Sequence, residues 1–272
     1  MPNIPSIASK RLLANVPKFV KVVQQARQRD VNESDTVTIV TDILEEVFGF
    51  DKYREITREY AIQGTYCDLA IKTEKKVEYL IEVKAIGIPL KDSHLRQAVN
   101  YAAKEGIRWV VLTNAIQWQI HRVNVDGKVE NTMLMEFDFT TLNPRKTDDQ
   151  ETLFVLCKRG VQKDLIDELY EHRQSFNRYT VGAVLLTEPV LGTVARELRR
   201  MKDGLKVSTE QLETLMREEV LKRDLIDSDA AKEAQKTVQK VLKKRLRAKI
   251  KPVKRTEPQG ETSEDVSVPP VE

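Results

Sequence analysis

Between Asn32 and Gly49 the apolar residues Val37, Val40, Leu44, Val47 and Phe48 fall on one helical stripe. That spacing predicts an amphipathic helix with Asn32 as N-cap, Asp35 at the third helical position and Gly49 as the stop. The period then changes. Residues 55–62, 66–72 and 77–84 are rich in β-branched and aromatic side chains, and the polar TEKK between the last two predicts an antiparallel hairpin. From Pro89 to Gly106 helical spacing returns, with Asp92 or Ser93 as cap and Leu95, Ala98, Val99 and Ala102 as the inner face. WVVLTN (109–114) and WQIHRV (118–123) predict two more strands, with TMLMEFDF (132–139) as a third candidate. The order of helix, three strands, helix and two or three strands predicts an α/β core.

Upstream, Val16, Phe19, Val22 and Val23 at helical spacing predict an N-terminal helical extension over residues 1–30, ahead of a main domain over 31–143. After NPRKTDDQ (143–150) the pattern becomes helical over 153–170, 180–186 and 189–201. Ser208 with Gln211 forms a capping box before a helix reaching Leu225, so residues 144–228 are an α-helical C-terminal unit. In residues 229–272, Val238, Val241, Leu242, Leu246 and Ile250 line one face of a basic amphipathic helix. From Pro252 onward the Pro-, Gly-, Ser- and acid-rich tail predicts disorder.

Charge sharpens this picture. The net charge of the 272 residues is +3, yet eleven Lys or Arg stand against the single acid Glu233 between Lys232 and Arg255. Lys243, Lys244, Arg245 and Arg247 are therefore candidate nucleic-acid contacts, since cations neutralise phosphates irrespective of sequence. Cys67 and Cys157 form no C-x-x-C, and His94, His121 and His172 lack metal-ligand spacing. No phosphate-binding G-x-x-x-x-G-K-[ST] occurs, so nothing calls for ATP. Without a long apolar run or a signal-like start, the expectation is a soluble, cytoplasmic protein with no membrane partner.

The segment YCDLAIKTEKKVEYLIEVK carries the chemistry. Strand side chains alternate, so Glu82 and Lys84 share a face, and a hairpin turning about Lys75 sets Asp68 opposite Glu82. Two carboxylates among apolar neighbours suit Mg²⁺ or Mn²⁺, which takes oxygen ligands and polarises a phosphoryl group. A surface hairpin with a cross-strand salt bridge fits the same residues. In the following helix Gln97 and Tyr101, four apart, lie on one face at the edge of the inner stripe.

An Asp followed by E-x-K and then Q-x-x-x-Y resembles the PD-(D/E)xK nucleases, in particular the N-terminal nuclease domain of type I restriction enzyme R subunits and its RecB-like relatives. The resemblance covers about Asn32 to Val123 and implies a restriction-endonuclease-like core of mixed β-sheet flanked by helices. It implies Asp68 and Glu82, with the Val83 carbonyl, as metal ligands, Lys84 orienting or activating water, and Gln97 with Tyr101 supporting the site. The superfamily often adds an acid from its first helix. Of Glu33, Glu45 and Glu46, only Glu33 falls within the apolar stripe at 100° per residue. Cys67 stands where the superfamily motif has proline, and no motor is encoded, so a stand-alone relative of the nuclease domain is expected. The implied function is metal-dependent hydrolysis of nucleic-acid phosphodiesters, DNA ahead of RNA, in restriction or phage defence. The rival reading keeps the fold as an inactive module that binds nucleic acid or recruits a partner. The C-terminal helices leave room for a second copy or a protein partner, while 191–201 and 209–220 are too far apart for a helix-turn-helix.

Overall fold

The computed structural model describes residues 4–62, 65–74, 76–124 and 129–250. The chain opens with helices α1 (Ser6–Gln28) and α2 (Glu33–Asp42) and strands β1 (Ile56–Ile62), β2 (Thr65–Thr73) and β3 (Lys76–Val83). Helix α3 (Asp92–Lys104) leads to β4 (Trp109–Thr113), β5 (Gln117–Asn124) and β6 (Glu130–Asp138). The strands form one sheet in sequence order, antiparallel throughout except for the parallel β3–β4 pair, which α3 connects. The α/β expectation of a mixed sheet flanked by helices holds.

Asn32 caps α2 by accepting from the Asp35 N–H at 2.9 Å. The single predicted helix divides, because α2 gives way to a π-helical turn, Ile43–Val47, before Gly49 at φ +83° ends it. Helix α1 is no appendage. Leu12, Val16, Phe19 and Val23 are buried in the larger apolar cluster with Val40 and Leu44 and with Leu69, Ile71, Ile81 and Val83 of the sheet. A second cluster sits under α3, where Leu95, Ala98 and Ala102 meet Ala70, Leu80 and Leu112. Both tryptophans are core residues.

The hairpin register depends on a bulge. Thr73 pairs with Lys76 and Lys72 with Val77, but Ile71 pairs with Tyr79, so Glu78 is the extra residue. Continued without the bulge, the ladder from Thr73 and Lys76 would set Asp68 against Ile81, whose side chain belongs to the opposite face. The bulge instead pairs Leu69 with Ile81 and brings Asp68 level with Glu82. The turn predicted about Lys75 lies outside the described residues.

By contact the chain forms two compact units, residues 1–172 and 173–272. The first thus takes in residues that the sequence pattern set apart at both ends of the main domain. Its last part holds α4 (Thr147–Phe154) and α5 (Lys158–Val161), followed by α6 (Leu165–Ser175), where one continuous helix was expected. Two local features break it. Cys157 takes extended backbone at ψ 148° ahead of α5, and Asp164 takes φ +53° ahead of α6.

The second unit holds α7 (Arg178–Leu185), α8 (Glu188–Met201), α9 (Thr209–Leu215) with a π-helical turn at Met216–Val220, α10 (Asp224–Asp227) and α11 (Asp229–Ile250). Leu191, Ala195 and Leu212 form its small core, and the Ser208–Gln211 capping box is made. The tail expected to be disordered lies outside the described residues. Among the described residues, no helix is long and apolar enough to cross a membrane.

Candidate active site

The parallel β3–β4 pairing ends at Val83 and Thr113, and the Lys84 N–H donates to the Thr113 carbonyl at 2.8 Å. Lys84 therefore leaves the sheet at the carboxyl end of a parallel pair, where open α/β sheets place their crevices. Beside it the β2–β3 ladder stops at Leu69–Ile81. Asp68 is freed from pairing, and its Oδ2 accepts from the Val83 N–H at 2.7 Å. Glu82 is only 8% exposed, and its Oε1 accepts from Lys84 Nζ at 2.7 Å. Lys84 Nζ also lies 3.6 Å from Oε2 of Glu33, at the start of α2.

Burial raises the pKa of both Asp68 and Glu82 above the ordinary carboxylate range. The Val83 N–H and Lys84 work against this at Asp68, and Lys84 does so at Glu82, while neighbouring carboxylates add to the rise. Burial pulls Lys84 down, but the Glu82 hydrogen bond and the charges of Glu82, Glu33 and Asp68 outweigh it, leaving Lys84 raised. Three carboxylates thus surround one ammonium, an excess of negative charge in a partly desolvated place.

The other candidates are divided. Glu45 lies 3.8 Å from Lys52, and Glu46 pairs with Lys18, so Glu33 is the acid of that trio beside Lys84. Gln97 is exposed and makes a long 3.5 Å bond to the Tyr66 carbonyl, two residues before Asp68. Tyr101 is buried in the α3-side cluster with Cys67 and Leu80. Among the described residues, no group of three or more His, Cys, Asp or Glu is gathered in metal-binding geometry.

Sequence reasoning missed the buttress. Asn114 donates to the Ile88 carbonyl at 2.9 Å, and its Oδ1 accepts from Ile116 and Gln117 N–H at 3.1 and 2.8 Å. The segment after Lys84 is thereby tied to the β4–β5 turn. Gly87, in the same segment, approaches the Asp30 carboxylate so closely that a Cβ would collide with it, three residues before Glu33. The Thr-Asn turn was a visible signal for the first contact; nothing in the sequence announced the second.

In the second unit, Lys232, Lys236, Lys240, Lys243, Lys244 and Arg247 fall within about 120° of helix surface at 100° per residue. Arg245 does not join them. It projects along the line of buried Ala231 and half-buried Val238 and Leu242.

Fold and cluster together define an α/β domain with a carboxylate–lysine centre at the carboxyl end of a parallel strand pair. Residues 39–137 match the family model of the type I restriction enzyme R protein N terminus. The matched stretch holds Asp68, Glu82, Lys84, Gln97 and Tyr101, and the resemblance drawn from those residues holds over it. No curated protein and no solved structure matches the chain.

Proposed function

We propose that the chain is a metal-dependent nuclease that hydrolyses phosphodiester bonds of nucleic acid, DNA ahead of RNA, in a restriction or phage-defence role. The observation that supports this most is the Asp68–Glu82–Lys84 cluster, in which the half-buried Asp68 and the buried Glu82 outnumber the single ammonium beside them. The donor set fits Mg²⁺ or Mn²⁺, which needs only one or two carboxylates when water and phosphate supply the other positions. Asp68 and Glu82, with the Val83 carbonyl, would hold the ion. When bound, it would polarise the phosphoryl oxygen and stabilise the charge that develops there.

Lys84 is held by Glu82 and Glu33 where an ammonium can orient a water or meet a phosphate oxygen. Its carboxylate neighbours favour the charged form, and an ammonium there suits orientation of water and charge stabilisation. Gln97 and Tyr101 support the strand that carries Asp68. Lys243, Lys244 and Arg247 would add sequence-independent phosphate contacts from α11.

The test is incubation of the purified protein with plasmid and linear DNA, with and without Mg²⁺ or Mn²⁺. Asp68→Asn and Lys84→Ala should each lower cleavage by roughly 100-fold or more without changing far-UV circular dichroism. Equal cleavage in both variants and wild type would exclude this centre, and no cleavage by the wild type with either metal would leave the non-catalytic binding module.

A further inference from the structure

β1 carries an irregularity directly across from Asp68. Arg58 pairs with Leu69 and Tyr60 with Cys67, so Glu59 and Asp68 face each other, but the ladder skips this pair. Glu59 adopts φ +47°, in the left-handed region that an L-residue enters at a cost and a strand interior does not use. No register is lost, because the offset is the same on both sides.

What changes is the face. Ile56 packs in the larger cluster, yet Tyr60, of the same parity, packs against the α3-side cluster. On β2, Leu69 and Ile71 belong to the larger cluster, whereas Cys67 joins the α3 side. Strict alternation would have turned Cys67 away from α3. Both strands therefore swap faces at the same facing pair. A kink that only protected the free edge of β1 would need no matching swap on β2.

We infer that Glu59 is a positioning residue: its left-handed backbone is the pivot that turns Asp68 out of the ladder and aims its carboxylate at the Val83 N–H. This rests on the reading of Asp68 as a metal ligand. The pivot requires the backbone conformation rather than the glutamate charge, since the Glu59 side chain is exposed. Asn and Gly accept that conformation readily, while a β-branched residue does not.

The test measures Mn²⁺ affinity by calorimetry in the full chain, together with thiol labelling mapped to Cys67 and Cys157, both buried in the wild type. Glu59→Gly, Glu59→Asn and Glu59→Gln should keep Mn²⁺ affinity within about threefold and both thiols protected. Glu59→Val should lower affinity by about tenfold or more and expose Cys67 alone. Should Glu59→Val fail to fold, Glu59→Ala replaces it, with weaker Mn²⁺ binding than Glu59→Gly as the expected result. An unchanged affinity and an unlabelled Cys67 in the folded variant would overturn the pivot. Loss in Glu59→Gln equal to that in Glu59→Val would overturn it too, making the carboxylate itself the functional group. Asp68→Asn is the control: if it binds Mn²⁺ like wild type, the metal reading fails, while Cys67 labelling still decides whether Glu59 is a pivot.

Discussion

Glu33 is half exposed on the first turn of α2, yet its carboxylate lies 3.6 Å from Lys84 Nζ, whereas Glu45 and Glu46 are engaged by Lys52 and Lys18. A carboxylate in that place should act on cleavage and metal dependence more than on stability. Glu33→Gln is expected to reduce cleavage by about tenfold or more, partly recovered at high Mn²⁺, with Glu45→Gln and Glu46→Gln close to wild type. Rates under saturating metal that single out Glu45 or Glu46 would reverse the assignment. His121 makes a different prediction. Burial holds its pKa below the usual value, against the opposing pull of Asn131, Asp92 and Glu136. The unfolded chain takes up this proton near pH ~6.5 and the folded chain only below that. Its contribution to stability is therefore whole above about pH 6.5 and declines as pH falls. Thermal unfolding between pH 7.5 and 5.5 should show a smaller fall in Tm for His121→Gln than for wild type.

The β2–β3 bulge and α11 make predictions about elements. Deleting Glu78 would join Lys72–Val77 directly to Ile71–Tyr79 and leave Leu69 opposite Ile81, so metal-dependent cleavage should survive. Deleting Ala70 would move Asp68 by one position against β3, and cleavage should be lost in a chain that still folds. Activity after the Ala70 deletion would show that the register does not position the site. On α11, changing Lys236, Lys240, Lys243 and Lys244 to Gln should flatten the dependence of log DNA affinity on log salt by up to ~0.9 per lysine lost. Arg245→Gln, off that stripe, should leave the slope as it is.

For the whole molecule, the first unit draws its core from beyond the stretch that matches the family model. Leu12, Val16, Phe19 and Val23 come from α1, and Leu153, Phe154, Leu156 and Ile166 from the segment after β6. Residues 1–172 expressed alone should unfold cooperatively, whereas 31–143 should not, having lost both contributions to one cluster. A cooperative thermal transition for 31–143 would show that those flanking side chains are dispensable.

The types and order of the elements were legible in the sequence because a helix and a strand impose their periods on neighbouring residues. The Asn32 cap, the Ser208–Gln211 capping box and the alternation that puts Glu82 and Lys84 together are likewise local. What only the tertiary structure decided involves residues far apart in sequence. The level of Asp68 with Glu82, expected from the sequence, is reached through an unexpected bulge at Glu78, and the left-handed Glu59 swaps the faces of two strands at once. Burial separates Tyr101 from Gln97, although both share a helix face, because one meets the sheet and the other solvent. The approach of Gly87 to Asp30 joins two loops whose spacing no period records. Periodicity selects the face a side chain takes; packing against distant strands and helices determines where that face ends.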